Sequence, residues 1–311
     1  MAKLFYLIFI SARPIQWLKN LVLFTGLVFT GWLFLPDKFI RVLVATIIFC
    51  ILTSCVYIFN DIIDAAKDRK HPLKKNRPIA SGKLPVPLAL FAAITAAFIG
   101  LFMAINMSFF FFLICLAYLI LHFFYTLVLK NIAILDVLAL ASGFILRVYA
   151  GAVVVDTHIN IWLLLCVISF SLFLAVGKRR SELTLLTGKI AVGETREVLF
   201  SYPERLLDLY ISMFANTTWL TYAWFTFIQP ISQPSERLMS IWADIPRTFR
   251  SQKWLMATIP VVIYGVMRYL QLIYEKNEGE SPAKVLASDK PLLTTILVWG
   301  TMVVGIIYGL G

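Results

Sequence analysis

Residues 109–129 read FFFFLICLAYLILHFFYTLVL, 21 consecutive positions without an Asp, Glu, Lys or Arg. A run of about 20 apolar residues is the length of an α-helix that crosses the hydrocarbon core of a bilayer. Eight further apolar runs flank it, and together the nine are Leu21–Pro36, Ile40–Phe59, Val86–Asn106, Phe109–Leu129, Ile132–Val155, Ile161–Val176, Leu206–Gln229, Leu255–Ile273 and Leu292–Leu310. Solid apolar runs, as opposed to alternating polar and apolar positions, argue against a transmembrane β-barrel. Composition agrees: 60% of the 311 residues are apolar and 14% charged, where a soluble domain carries about 25% charged residues. The expected fold is an all-α, polytopic bundle of nine transmembrane helices forming one integral membrane domain over residues 1–311. Leu4–Ala12 is a shorter apolar stretch with no small-residue cleavage site after it, and is expected to stay in the chain as an interfacial segment.

The net charge of +11, from 28 Lys and Arg against 17 Asp and Glu, would raise nucleic acid as a partner in a soluble protein. Position decides otherwise. With the N-terminus inside, the inside segments carry 21 of the basic residues and the outside segments six, leaving Arg147 within a span. That asymmetry is the topology signal of a membrane protein. It places the N-terminus in the cytoplasm and the chain in the cell (inner) membrane, with no nucleic acid expected. Cys50, Cys55, Cys115 and Cys166 all lie in apolar runs and read as small buried residues. His71, His122 and His158 are scattered and form no ligand cluster. Polar chemistry concentrates in two long inside loops, Asp61–Pro85 and Lys178–Arg205, and in the last inside loop, 275–290; these should cap the site. The outside segment 231–253 has no functional reading.

The string at 60–82 is NDIIDAAKDRKHPLKKNRPIASG. Asn60, Asp64 and Asp68 are spaced i, i+4, i+8, and Asp61, Asp64 and Asp68 i, i+3, i+7; if the second span continues as a helix, all four share one side. Carboxylates crowded on one face raise each other's pKa unless cations sit among them. A hard divalent ion with oxygen ligands resolves the crowding, and Mg²⁺ is held by one or two carboxylates plus substrate phosphates. Lys67, Arg69, Lys70, His71, Lys74, Lys75 and Arg77 follow directly, suited to phosphate oxygens that the metal does not reach. Pro72, Pro78 and Gly82 break the helix and let the loop fold back.

This string resembles the first aspartate motif of the UbiA-type intramembrane prenyltransferase superfamily, whose members are nine-helix bundles that bind isoprenoid diphosphates through Mg²⁺. Further along the chain, Tyr125 and Lys130 stand at the expected cytoplasmic edge, as phosphate ligands or as interfacial anchors. Asp136 and Arg147 lie in or beside the fifth span, where an ionisable group is costly unless paired or facing a polar cavity. Arg147 should face the bundle interior, either to meet a phosphate or to pair with an acid such as Asp136. The loop that begins GKRRSEL, with Lys178, Arg179, Arg180 and Glu182, departs from the superfamily. Most members carry a second acidic motif there, and this chain has three consecutive bases.

One branch of the superfamily, the polyprenyl-phosphate (decaprenyl-phosphate) phosphoribosyltransferases, is similar to this chain in several strings. They are RPIQWLKN (13–20), the 60–82 string, LDVLALASGFILRVYAGA (135–152), GKRRSEL (177–183) and YEKNEGESPAKVLASDKPLL (274–293). The resemblance implies phosphoribosyl diphosphate as donor and a polyprenyl phosphate lipid as acceptor. One diphosphate would take Mg²⁺ and the carboxylates, and two monophosphates would take bases. The resulting expectation is that Asn60, Asp61, Asp64 and Asp68 hold Mg²⁺, with the three aspartates catalytic. Lys70, Lys74, Arg77, Tyr125, Lys130, Arg147, Lys178, Arg179 and Arg180 would bind phosphates. The alternatives are a prenyltransferase acting on an aromatic or other small acceptor, which the 60–82 string fits equally, and a membrane transporter, which the clustering of charge at one surface argues against.

Overall fold

The computed structural model describes residues 2–70, 74–187, 201–229, 253–276, 285 and 288–309. Every regular element among them is a helix: α1 (Ala2–Ser11), a 3-10 run (Pro14–Phe24), α2 (Thr25–Phe29), α3 (Pro36–Lys70), α4 (Val86–Met107), α5 (Phe109–Leu127), α6 (Leu135–Val155), α7 (Ile161–Thr187), α8 (Glu204–Ile228), α9 (Ile259–Lys276) and α10 (Lys290–Gly309). Seven helical segments are long and apolar enough to cross a membrane, and the bent pair Lys3–Ser11 and Pro14–Phe29 qualifies as an eighth. Helix α8 has the length, 25 residues, but is less apolar. All but Lys253 of the 231–253 segment, the middle of the 178–205 loop and most of the 275–290 loop lie outside the described residues, as do His71 and Pro72.

Two boundaries differ from the sequence reading. Helix begins well before Leu21: α1 runs from Ala2 and joins the 14–29 segment through a 51° bend. Pro14 disfavours helical backbone at the residue before it, and Arg13 adopts a left-handed φ of 53°. The chain then turns at Gly31, φ 80°, before α3 begins. Helix α3 also runs on through Lys70, so the first ten residues of the expected 61–85 loop are helix. Pro36 at its first position needs no partner for a missing N–H, and Lys67, Arg69 and Lys70 in its last turn suit the negative end of the helix dipole. Its 35 residues span about 52 Å at the α-helical rise, well beyond a hydrocarbon core of about 30 Å.

The remaining helices are fixed by local signals. Ser108 caps α5 by accepting from the Phe111 N–H at 3.1 Å. Outward faces stay apolar, as Phe91, Ile94, Phe98 and Phe102 on α4 show. Small residues set close approaches inside the bundle. At Gly151 of α6 an added Cβ would run into the Leu23 backbone, so only glycine lets the 3-10 segment lie this close. Arg147, one turn before Gly151, thereby reaches Asn20 on that segment at 2.8 Å.

Candidate active site at the charged end of the bundle

The period of α3 puts Asp61, Asp64 and Asp68 on one face, and three separate parts of the chain bring bases to meet them. Arg13, at the bend before the 3-10 segment, and Arg77, in the turn after α3, both donate to Asp61 Oδ1, Arg77 at 3.2 Å. Arg77 also donates to Asp68 Oδ2 at 2.5 Å. Lys130, in the 3-10 turn Leu129–Asn131, donates to Asp64 Oδ1 at 2.5 Å. Arg69 ties the loop back by donating to the Ala80 carbonyl at 3.1 Å, and Gly82, φ 74°, completes the turn. The Arg13 guanidinium also lies 4.9 Å over the Tyr57 ring.

Each carboxylate in this cluster gives one oxygen to bases and leaves the other without a hydrogen-bond partner among the described residues. Asp61 and Asp68 are buried, and Asp64 is the most open, with 16% of its side chain exposed. Hard oxygen donors on one helix face, each with an uncommitted oxygen, fit a Mg²⁺ ion. They are not drawn together as a finished cage: among the described residues no three His, Cys, Asp or Glu side chains converge on a common point. Asn60 is half-buried on the same helix.

A second charged network adjoins the first. Asp136, at the start of α6, uses both oxygens, accepting from Arg179 Nε at 2.5 Å and from the Tyr202 hydroxyl at 2.7 Å. Arg179 donates onward to Glu182 at 2.6 Å and to the Tyr125 hydroxyl at 3.1 Å, and is fully buried. Burial, and donation to Asp136, raise the pKa of Tyr202 and keep its hydroxyl protonated. The Tyr202 oxygen accepts from the Ile134 N–H at 2.5 Å. Ile134 has a φ of 71°, a conformation that a β-branched residue adopts only under constraint. The short connection 125–136 thus joins the two networks: Tyr125 reaches Arg179, Lys130 reaches Asp64, and Asp136 anchors its end.

The expected phosphate ligands therefore separate into groups. Arg77 and Lys130 stand at the aspartates. Lys70 is exposed at the end of α3, and Lys74 is half-buried in the turn beyond it. Tyr125 and Arg179 belong to the buried network, and Lys178 lies 3.9 Å from Glu182. Arg180 pairs with Asp208 at 2.8 Å and Glu204 at 3.4 Å. Arg147 does not pair with Asp136, whose partner is Arg179. Arg13 and Tyr202 take part in these networks although neither stood out by its own surroundings in the sequence. Arg13 lies 48 residues from Asp61, and only its place in RPIQWLKN could have marked it.

A bundle of this form, with an N-D-x-x-D-x-x-x-D helix end facing converging bases, defines a class. The chain belongs to the UbiA prenyltransferase family, whose profile matches residues 19–181, and is a multi-pass membrane transferase of that family. Its backbone superposes on a UbiA homologue from Archaeoglobus fulgidus bound to GPP and Mg²⁺ with a TM-score of 0.68, at 18% identity, covering 97% of this chain and 99% of that one. Among characterised proteins it is similar to the decaprenyl-phosphate phosphoribosyltransferase of Corynebacterium glutamicum, at 32% identity over 96% of this chain and 86% of that one. The enzyme of the same name from Mycolicibacterium smegmatis is 30% identical over 93% of this chain and 88% of that one.

Proposed function

We propose that the protein transfers 5-phosphoribose from phosphoribosyl diphosphate to a polyprenyl phosphate, releasing pyrophosphate, in a nine-span bundle with its N-terminus and site on the cytoplasmic side of the cell membrane. The observation that carries this reading is the distribution of charge. One acidic cluster keeps uncommitted oxygens, while the acid beside the second basic string, Glu182, is spent on Arg179. A donor with one diphosphate, and two monophosphates to be neutralised, matches one acidic cluster surrounded by bases. The similarity to enzymes of that name over nearly the whole chain supports the same assignment.

Asn60, Asp61, Asp64 and Asp68 would hold Mg²⁺ against the donor diphosphate. When bound, the ion supplies Lewis-acid neutralisation of the departing pyrophosphate. Arg77 and Lys130, which rest on the carboxylates in the present arrangement, would turn to phosphate oxygens, with Arg13, Lys70 and Lys74 beside them. Arg147, Lys178 and Arg180 remain candidates for the 5-phosphate and the lipid phosphate. Tyr125 and Arg179 would hold the 125–136 connection so that Lys130 stays in place. The acceptor is a phosphate monoester already anionic at pH 7, so attack at C1 requires no general base. An oxocarbenium-like C1 would be stabilised by the carboxylate cluster, and attack opposite the leaving group inverts that carbon.

The test is transfer of label from radiolabelled phosphoribosyl diphosphate into the organic phase by purified protein with Mg²⁺ and polyprenyl phosphate. Transfer abolished by EDTA and by Asp64→Asn supports the reading. Consumption of a prenyl diphosphate with an aromatic acceptor, and no phosphoribosyl transfer, would replace it by the prenyltransferase reading.

A further inference from the structure

Along α3 from the aspartates, toward the middle of the bundle, lies a buried guanidinium with no carboxylate bonded to it among the described residues. Arg147 is 4% exposed, and its hydrogen bonds all go to neutral groups: Nε to Asn20 Oδ1, Nη1 to the Gly143 carbonyl and Nη2 to the Tyr118 hydroxyl, each at 2.8 Å. The Tyr118 and Phe144 rings flank the guanidinium at 4.8 and 5.4 Å. Tyr118 in turn meets Thr53 on α3 at 3.3 Å. Asp61 is eight residues further along that helix, about 12 Å at the α-helical rise.

Lys19 is the residue before Asn20, whose side chain holds the Arg147 guanidinium at 2.8 Å, and no hydrogen bond or ion pair joins the Lys19 ammonium to another described residue. His122 completes the set. Its ring lies 4.4 Å from that of Tyr118, which accepts from Arg147, and its Nε2 is buried without a hydrogen-bond partner among the described residues. That nitrogen faces Gly143, where an added Cβ would come within 2.9 Å of Nε2 and 3.4 Å of Arg147 Nη1. Glycine at 143 keeps the space between imidazole and guanidinium clear.

A buried guanidinium whose partners are all neutral, as at Arg147, is unfavourable unless an anion joins it. We propose that Lys19, Arg147 and His122 form a seat for a phosphate monoester, separate from the aspartate cluster. The assignment rests on the phosphoribosyl-transfer reading, which brings two such groups: the donor's 5-phosphate and the lipid headgroup. Arg147 supplies the fixed part, its guanidinium held by Asn20 and Tyr118. Lys19 supplies an uncommitted ammonium. His122 donates from Nε2 in the tautomer that protonates that nitrogen.

The experiment uses full-length protein in detergent without Mg²⁺, so that the aspartates cannot recruit a diphosphate. Thermal unfolding is followed with ribose 5-phosphate against ribose, and with a short polyprenyl monophosphate against the matching polyprenol. One phosphorylated compound should raise the unfolding temperature where its alcohol does not, and which one does identifies the source. No phosphate-dependent rise in the wild-type protein overturns the seat. Lys19→Met removes a charge without a partner, so its ligand-free unfolding temperature should equal or exceed that of the wild type while the phosphate-dependent rise disappears. A ligand-free temperature that falls instead marks Lys19 as structural and overturns the proposal, as does a retained rise. Arg147→Lys should keep the rise in weakened form. In turnover, Lys19→Met should raise KM for the substrate carrying that phosphate about tenfold, the scale of one charge-assisted hydrogen bond; unchanged KM for both substrates overturns the seat. Protein that transfers no phosphoribose, yet shows the Lys19-dependent rise, keeps the seat and loses the transfer reading.

Discussion

Among the described residues, Asp61, Asp64 and Asp68 each bind bases through one oxygen and keep the other uncommitted, whereas Asp136 has both oxygens taken, by Arg179 and Tyr202. The residue types are the same in the two regions, and both lie at the charged end of the bundle. Burial differs. Arg13 and Arg77 keep about a quarter of their side chains exposed, while Arg179 and Asp136 expose nothing. A base on a partly exposed side chain can exchange a carboxylate for a phosphate at little cost, because water covers the intermediate arrangements. A guanidinium sealed among two carboxylates and a tyrosine cannot, since releasing any one leaves a buried charge unmatched. On the proposed reading, the comparison separates side chains that would meet substrate from side chains that hold the scaffold.

Substitutions at the closed network should have the largest effect on stability. Arg179→Met removes the cation bonded to buried Asp136 and one partner of Glu182, and a buried pair broken from one side costs about 3–5 kcal/mol. The expected outcome is loss of folded protein on detergent extraction, with Arg179→Lys giving little rescue because a single ammonium cannot serve Asp136, Glu182 and Tyr125 together. Asp64→Asn should show the opposite profile, with an unfolding temperature near that of the wild type and turnover down roughly 100-fold or more, the scale of removing one electrostatic group from a transition-state site. If Asp64→Asn unfolds the protein and Arg179→Met spares it, the division between the two regions is drawn wrongly. Lys130→Gln is expected to sit between them. It loses one phosphate ligand and one partner of Asp64, and should raise KM for the diphosphate donor about tenfold with a small change in unfolding temperature. The smallest effect on turnover is expected at Tyr202→Phe, which removes one hydrogen bond to Asp136 and leaves the Ile134 N–H unpaired. It should destabilise by about 1–3 kcal/mol, read as a lower unfolding temperature, with KM unchanged.

Much of the scaffold was legible because bilayer crossing demands solid apolar runs. Ile40–Phe59, Val86–Asn106 and Phe109–Leu129 correspond closely to helical stretches in α3, α4 and α5. The N-terminal helix pair was not, because its path depends on a bend at Arg13–Pro14 that links two short helices, neither of them long enough alone to cross a bilayer. The common face of Asp61, Asp64 and Asp68 follows from helical period, a local property. Their partners do not: Lys130 is 66 residues from Asp64 and Arg13 is 48 from Asp61. Pairing at that separation is decided by packing, which is also why Asp136 meets Arg179 on α7 and leaves Arg147, on its own helix, to Asn20 and Tyr118. The three bases at 178–180 look equivalent in sequence. On a helix, successive residues point about 100° apart, which sends Arg179 into the interior and Arg180 to Asp208 and Glu204.

Helix α3 exceeds the thickness of a hydrocarbon core by roughly 20 Å, and all three aspartates ride on its last three turns. It is a single rigid strut, so the height of those aspartates above the lipid is set by its tilt. A helix facing a thinner or thicker bilayer adjusts chiefly by tilting, and near this tip a change of tilt becomes a displacement of the carboxylates relative to the lipid surface. A substrate whose head group is tethered at the membrane surface would then meet the aspartates at different heights in different lipids. Reconstitution across acyl-chain lengths should accordingly give a turnover optimum at one bilayer thickness.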